Sequence, residues 1–110
     1  MGRRFLLGDF EHQTLLVVFR LGDRAYGKLV RQELAKRTGR DVARGAVQAT
    51  LERLEEKEFV RSRMRVSPAA PDSQPRRYYE PTGAGKAALV EMKTMYQRLW
   101  ARLRLASGNT

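Results

Sequence analysis

The chain has 110 residues, enough for one domain with a modest core but near the size at which a second subunit often supplies missing burial. Its 22 Lys and Arg against 12 Asp and Glu leave a net charge of +10 and a pI near 10.8, an excess that favours a polyanionic partner through phosphate contacts that release counterions. The lack of cysteine excludes disulfides and thiolate metal sites; the longest apolar run, Leu15 to Phe19, is too short to span a membrane, and the basic opening has no secretory apolar core, so a cytoplasmic protein is expected.

Residues 1–8 read as a basic arm leading to Asp9, a plausible N-cap for a helix over Phe10 to Leu21. The run from Leu15 to Phe19 is apolar on all sides, so this helix is expected to be wedged between other elements. Taken alone the run also suits a strand, but the pattern extends from Phe10 to Leu21 without a turn signal, which favours helix. Leu21, Gly22 and Asp23 then stop it. A second helix is expected from about Ala25 to Arg37, with Tyr26, Leu29, Val30 and Leu34 on one face and Arg31, Gln32 and Lys36 on the other. Gly39 lies just past the last periodic residue, where a left-handed cap costs least.

From Arg44 to Val66 the hydrophobic period changes. Val47, Leu51 and Leu54 fall at helical spacing, so one stripe faces inward, while Arg44, Gln48 and Ala49 are exposed and small or polar enough to approach base edges in a major groove. From Phe59 the period becomes two. Val60, Ser62, Met64 and Val66 alternate with Arg61, Arg63 and Arg65, so a half-buried strand turns three guanidinium groups to one solvent face. Residues 67–75, with three prolines and one charge, form a hairpin tip, and Arg76 to Glu80 a return strand. Tyr78 and Tyr79 must point to opposite faces, one under the helices and the other among the wing arginines. This is a helix-turn-helix whose recognition helix runs into a wing, with base or phosphate contacts expected from Arg40, Arg44, Gln48 and Ala49 and phosphate contacts from Arg61, Arg63, Arg65, Arg76 and Arg77, with Tyr79 beside them.

Thr82 opens the last helix, and Gly83 and Gly85 weaken its first turn, so firm helix is expected near Lys86. Leu89, Met92, Tyr96, Leu99 and Leu103 then recur at spacings of three and four, the seam of a coiled coil widened by Met95 and Trp100. A small domain has little core left to cover so much apolar surface, so the same helix of a second copy is expected to cover it, giving a homodimer. The fold class is therefore α+β, mostly α, divided into the arm 1–8, a winged helix-turn-helix over 9–81 with its wing at about 60–81, a dimerisation helix over 82–106 and a tail at 107–110.

Nothing in the chain points to catalysis. Glu52, Glu55, Glu56 and Glu58 are better explained as salt-bridge partners of Arg53, Lys57 and Arg61 than as paired acids, and no nucleophile, base and orienting group fall together. His12 has no second histidine or cysteine to share a metal, so a surface role at the helix start is expected, with no metal and no cofactor. Trp100 reads first as an anchor at the subunit contact and second as a stacking surface for a planar aromatic effector. Two other functions compete: a basic module binding nucleic acid without sequence preference, and a membrane-surface or partner-docking protein using the amphipathic stretch at residues 93–105.

The order and the residues resemble the PadR family of winged-helix transcriptional regulators, in its short form with one C-terminal helix. The pieces that carry the resemblance are LGDFEH at 7–12, AYGKLVRQEL at 25–34, GAVQATLERLEEK at 45–57, RRYYEPTGAGKAAL at 76–89 and the long closing helix. The resemblance implies a dimer that binds double-stranded operator DNA through paired recognition helices and wings, usually as a repressor. It also implies that small aromatic molecules can bind near the dimer interface, which here places Tyr96 and Trp100 beside such a ligand. Three departures stand out: the family's usual tyrosine is Gln48 here, the glycine that commonly ends its recognition helix is Glu58, and Asp72, Ser73, Gln74 and Pro75 replace a glycine- and arginine-rich approach to Arg76.

Overall fold

The computed structural model describes residues 7–105; the arm expected at 1–8 lies outside it except for Leu7 and Gly8, as does the tail at 107–110. Four helices and a small antiparallel sheet follow in the order α1 (Asp9–Leu21), α2 (Gly27–Thr38), α3 (Arg44–Glu56), β1 (Val60–Arg65), β2 (Arg76–Pro81) and α4 (Gly83–Trp100), with a single 3-10 turn at Gly22–Arg24 between the first two helices. This is the expected winged helix-turn-helix, mostly helical.

Helix α1 is the centre of the molecule, packed against α2, α3, β2 and α4. Leu15, Val17, Val18 and Leu21 are buried on it, as its unbroken apolar run requires, although Leu16 keeps 44% of its surface. Its cap is Gly8 rather than Asp9: the Glu11 carboxylate turns back to accept the Gly8 N–H at 3.0 Å. A carboxylate one turn into a helix satisfies one of the free N–H groups there and complements the positive end of the helix dipole. Leu7, placed in the arm by sequence, belongs to the core.

Helix α2 begins two residues later than expected. Ala25 and Tyr26 are extended and touch the edge of β2 through one isolated bridge: Tyr79 N–H donates to the Ala25 carbonyl at 2.8 Å, and Tyr26 bridges Tyr78. Gly39 ends α2 in the left-handed conformation at φ +73°, with its N–H on the Ala35 carbonyl at 2.9 Å.

The corner between α3 and the sheet is built on Glu58, which sits at φ +65°. The Thr82 hydroxyl donates to the Glu58 carbonyl at 2.8 Å and accepts from Gly85 N–H at 3.0 Å, so one threonine holds the corner and caps α4. Helix α4 therefore starts at Gly83, not near Lys86. Gly85 is needed for contact: a Cβ there would lie 2.2 Å from the Phe59 carbonyl oxygen, so only glycine lets the helix lie directly on that backbone.

In the sheet, Val60 pairs with Pro81, Ser62 with Tyr79, Arg63 with Tyr78 and Arg65 with Arg76. The half-buried face expected along β1 is realised only at its base. Val60 is buried, but Met64 keeps 52% of its surface. The tip turns twice, through Ala70 N–H to the Ser67 carbonyl and Ser73 N–H to the Ala70 carbonyl.

On α4, Gly85, Ala88 and Met92 face the core and Leu89 packs partly against it. This corrects the expected seam. Met92, at 6% exposure, is buried within the chain's own core, whereas Leu99 and Trp100 keep 64% and 57%. Leu103 is not on the helix at all: α4 ends at Trp100, Arg102 turns left-handed at φ +61°, and Leu103 N–H closes a turn on the Trp100 carbonyl.

Candidate nucleic-acid interface

Arg44 is the first residue of α3, and with Gly45, Val47 and Gln48 it faces the start of α2 across a cleft of about 520 Å³ completed by Gly27, Lys28 and Arg31. The turn between the two helices is tied by Arg31, whose Nε donates to the Val42 carbonyl at 2.7 Å. Arg44, Gln48 and Ala49 are exposed, as the helical spacing required, and so is Arg40 in the turn before α3. No acid stands in the first turn of α3; Glu52, Glu55 and Glu56 all lie in its second half. The amino end of the helix, its free N–H groups, Arg44 and Lys28 thus form one positive surface. Lys28 was not singled out in the sequence, since a lysine one residue into a helix is ordinary solvent-facing surface until the fold sets it opposite Arg44.

Gln48 is held from below. Its Nε2 donates to Glu52 Oε2 at 3.1 Å and to the Tyr79 hydroxyl at 3.3 Å. Tyr79 itself is 2% exposed, so it reaches no partner outside the protomer and instead supports the residue that can. Its removal from water raises the phenol pKa, opposed in part by the hydrogen bond from Gln48.

The arginines of the wing divide between two faces. Arg61, Arg63, Arg65 and Arg76 share one, and Arg77 stands on the other with Ser62, whose Oγ accepts from Arg77 Nη1 at 3.0 Å. Ser62 in turn gives its N–H and hydroxyl to the Glu55 carboxylate, which docks the wing on α3. The row of guanidinium groups is less free than the alternation alone implied. Arg61 and Arg63 share Glu80, at 3.7 and 2.8 Å, and Arg65 donates to the Asp23 carbonyl. The opposed pair Arg65 and Arg76 would repel, but each guanidinium lies over a ring, Arg65 at 3.8 Å from the centre of Tyr78 and Arg76 at 4.4 Å from Tyr26. The two tyrosines meet edge to face at 5.3 Å. Tyr78 and Tyr79 do point to opposite faces, Tyr78 among the arginines and Tyr79 in the core, yet both are buried.

The acids also differ from expectation. Glu11 of α1 takes Arg53 and Lys57, at 3.1 and 2.8 Å, and Arg61 pairs with Glu80. Burial alone would raise the Glu11 pKa, but hydrogen bonds from Lys57, Gly8 N–H and Arg53 outweigh it and hold the carboxyl below its ordinary value. His12 is half-buried rather than a surface residue, its ring parallel to that of Tyr96 with centres 6.2 Å apart. Burial lowers its pKa, against the pull of Asp9. Among the described residues no group of His, Asp or Glu is placed to hold a metal ion, and no helix is long and apolar enough to cross a membrane.

Comparison with known proteins returns one family and one fold. The profile of the "Transcriptional regulator PadR-like family" matches residues 15–91. A PadR-like transcription factor from Bacteroides fragilis is 25% identical, with 82% of each chain covered and a TM-score of 0.66. A PadR family transcriptional regulator from Eggerthella lenta is 26% identical over 78% of this chain and 72% of that one, with a TM-score of 0.62. A winged-helix DNA-binding protein from STIV, 17% identical, superposes with a TM-score of 0.67 over 90% of this chain and 99% of that one, a likeness of fold. No curated protein sequence matches the chain.

Proposed function

Because this chain belongs to the PadR-like family of transcriptional regulators, we propose that it is a homodimeric repressor that reads an inverted-repeat operator in double-stranded DNA. It is a DNA-binding regulator and not an enzyme. Each protomer presents the start of α3 to a major groove, with Arg44, Gln48 and Ala49 at the base edges and Arg40 and Lys28 at flanking phosphates. The wing supplies Arg76 and Arg77, and Arg61, Arg63 and Arg65 to the extent that phosphate displaces Glu80 and the Asp23 carbonyl. Such displacement costs little for Arg61 and Arg63, whose side chains are 72% and 68% exposed, since ion pairs that wet contribute less than about 1 kcal/mol.

The observation that carries the reading is the presence of two exposed surfaces in one small chain: a positive helix start and wing, and an apolar end to α4. Tyr96, Leu99, Trp100, Leu103 and Leu105, clustered in sequence at the end of α4 and just after it, are 39% to 64% exposed. A second copy of α4 covers them, and Leu89, already partly packed, borders that contact. Trp100 and Tyr96 then lie at the subunit boundary, where a small aromatic effector would loosen the spacing of the two recognition helices.

The test is selection of bound oligonucleotides from a random pool, together with sedimentation of the protein alone. An inverted repeat with half-sites about one helical turn apart, bound by a dimer, is the expected result. A monomer that binds every sequence equally would overturn it. Titration of Trp100 fluorescence with aromatic cations and phenolic acids tests the effector, and absence of quenching in an intact dimer removes it.

A further inference from the structure

Resting on that reading of α3, we infer that Gln48 enters the groove as a hydrogen-bond acceptor only, and so selects a base that offers an exocyclic amine there, adenine or cytosine. The carboxamide has two N–H groups and one carbonyl. Both donor contacts leave the same nitrogen, to Glu52 Oε2 and to the Tyr79 hydroxyl. Glu52 settles which way the amide is turned. A carboxylate accepts and never donates, so reversing the amide would set the Gln48 carbonyl oxygen against it and lose that bond.

With the nitrogen committed, Oε1 is the atom left to meet DNA. It lies toward the cleft between the starts of α2 and α3, 3.8 Å from where a Cβ on Gly27 would stand. A glutamine free to turn reads adenine with both ends of its amide, donor to N7 and acceptor from N6. This one offers only the acceptor. In the major groove adenine N6 and cytosine N4 donate to it, while guanine O6 and thymine O4 would face it oxygen to oxygen. Glu52, placed one turn from Gln48, is thus a positioning residue for specificity although it touches no base. Tyr79 serves the same end from inside the core.

The experiment uses full-length protein and the operator recovered by selection, with every base pair of one half-site changed in turn. Gln48 and Glu52 are both exposed, so Gln48→Ala and Glu52→Gln should fold, which far-ultraviolet circular dichroism checks. Wild type is expected to show one position where adenine or cytosine binds about tenfold tighter than guanine or thymine. Gln48→Ala should flatten that position alone. Glu52→Gln, whose own amide satisfies either orientation of Gln48, should admit guanine or thymine at the same position without weakening binding to unrelated DNA. The inference is overturned if Gln48→Ala changes no base preference, if the position it changes favours guanine or thymine, or if Glu52→Gln leaves the preference intact. A wild-type protein with no base preference anywhere overturns the sequence-specific reading beneath it instead.

Discussion

At the scale of single residues, two backbone positions set the geometry between α3 and everything after it. Glu58 holds φ at +65°, where an L side chain crowds its own carbonyl. Glycine suffers no such crowding but loses more freedom on folding, so Glu58→Gly is expected to stabilise by roughly 0.5 to 1 kcal/mol, read as a rise in melting temperature of a few degrees. A fall would mean that the Glu58 side chain contributes more than its backbone strain removes. Gly85 is the opposite case. A methyl group there meets the Phe59 carbonyl oxygen at 2.2 Å, and that oxygen is backbone already bonded to Thr82 N–H. Gly85→Ala should therefore destabilise by about 2 kcal/mol or more despite alanine's better helix propensity, and chemical denaturation would show it as a lower midpoint with an unchanged slope. The glycine at 85 reads in the sequence as a weak helix start, because propensity is visible there and a neighbouring backbone is not.

Between elements, Glu11 ties the start of α1 to the second half of α3 through Arg53 and Lys57. Its carboxyl is held below the ordinary value of 4.5, so the contact contributes stability that is present above that pH and lost as pH falls through the depressed value. Glu11→Gln should cost about 1 to 2 kcal/mol at pH 7, a figure discounted because Arg53 and Lys57 are half-solvated. The gap between wild type and variant should close below pH 4.5, and urea melts from pH 7 to pH 3 measure it. A gap that stayed constant over that range would show that the carboxylate's charge contributes nothing. Helix α3 and the paired tyrosines were legible because each obeys a local period. The Glu11 pairing was not, since it joins residues 42 and 46 positions apart, and nearer glutamates offered themselves to Arg53. The same local bias made the arginines of β1 look free. Glu80 and Tyr78 become their partners only once the register of the hairpin is known.

For the whole molecule, the decisive quantity under the proposed homodimeric reading is how many phosphates two protomers neutralise together. Arg44 and Lys28 at the helix start meet no carboxylate among the ion pairs of the described residues, whereas Arg76 lies over a ring and Arg77 holds the Ser62 hydroxyl, so each protomer has at least two cations to place on DNA at no loss. Four or more per dimer give a slope of log affinity on log salt steeper than about −3. The end of α4 decides whether those contacts act as one set. Leu99 lies outside the core cluster and keeps 64% of its surface, so Leu99→Asp should leave the protomer folded but place a charge in the face that the proposed second copy covers. The expected result is a halved mass in sedimentation and, in the same preparation, a salt slope cut to about half with operator affinity down by a hundredfold or more, since two half-sites no longer bind in one event. Retention of both the dimer and the full slope in Leu99→Asp would place the subunit contact elsewhere on the protein, with α1 and its exposed Leu16 the next surface to alter.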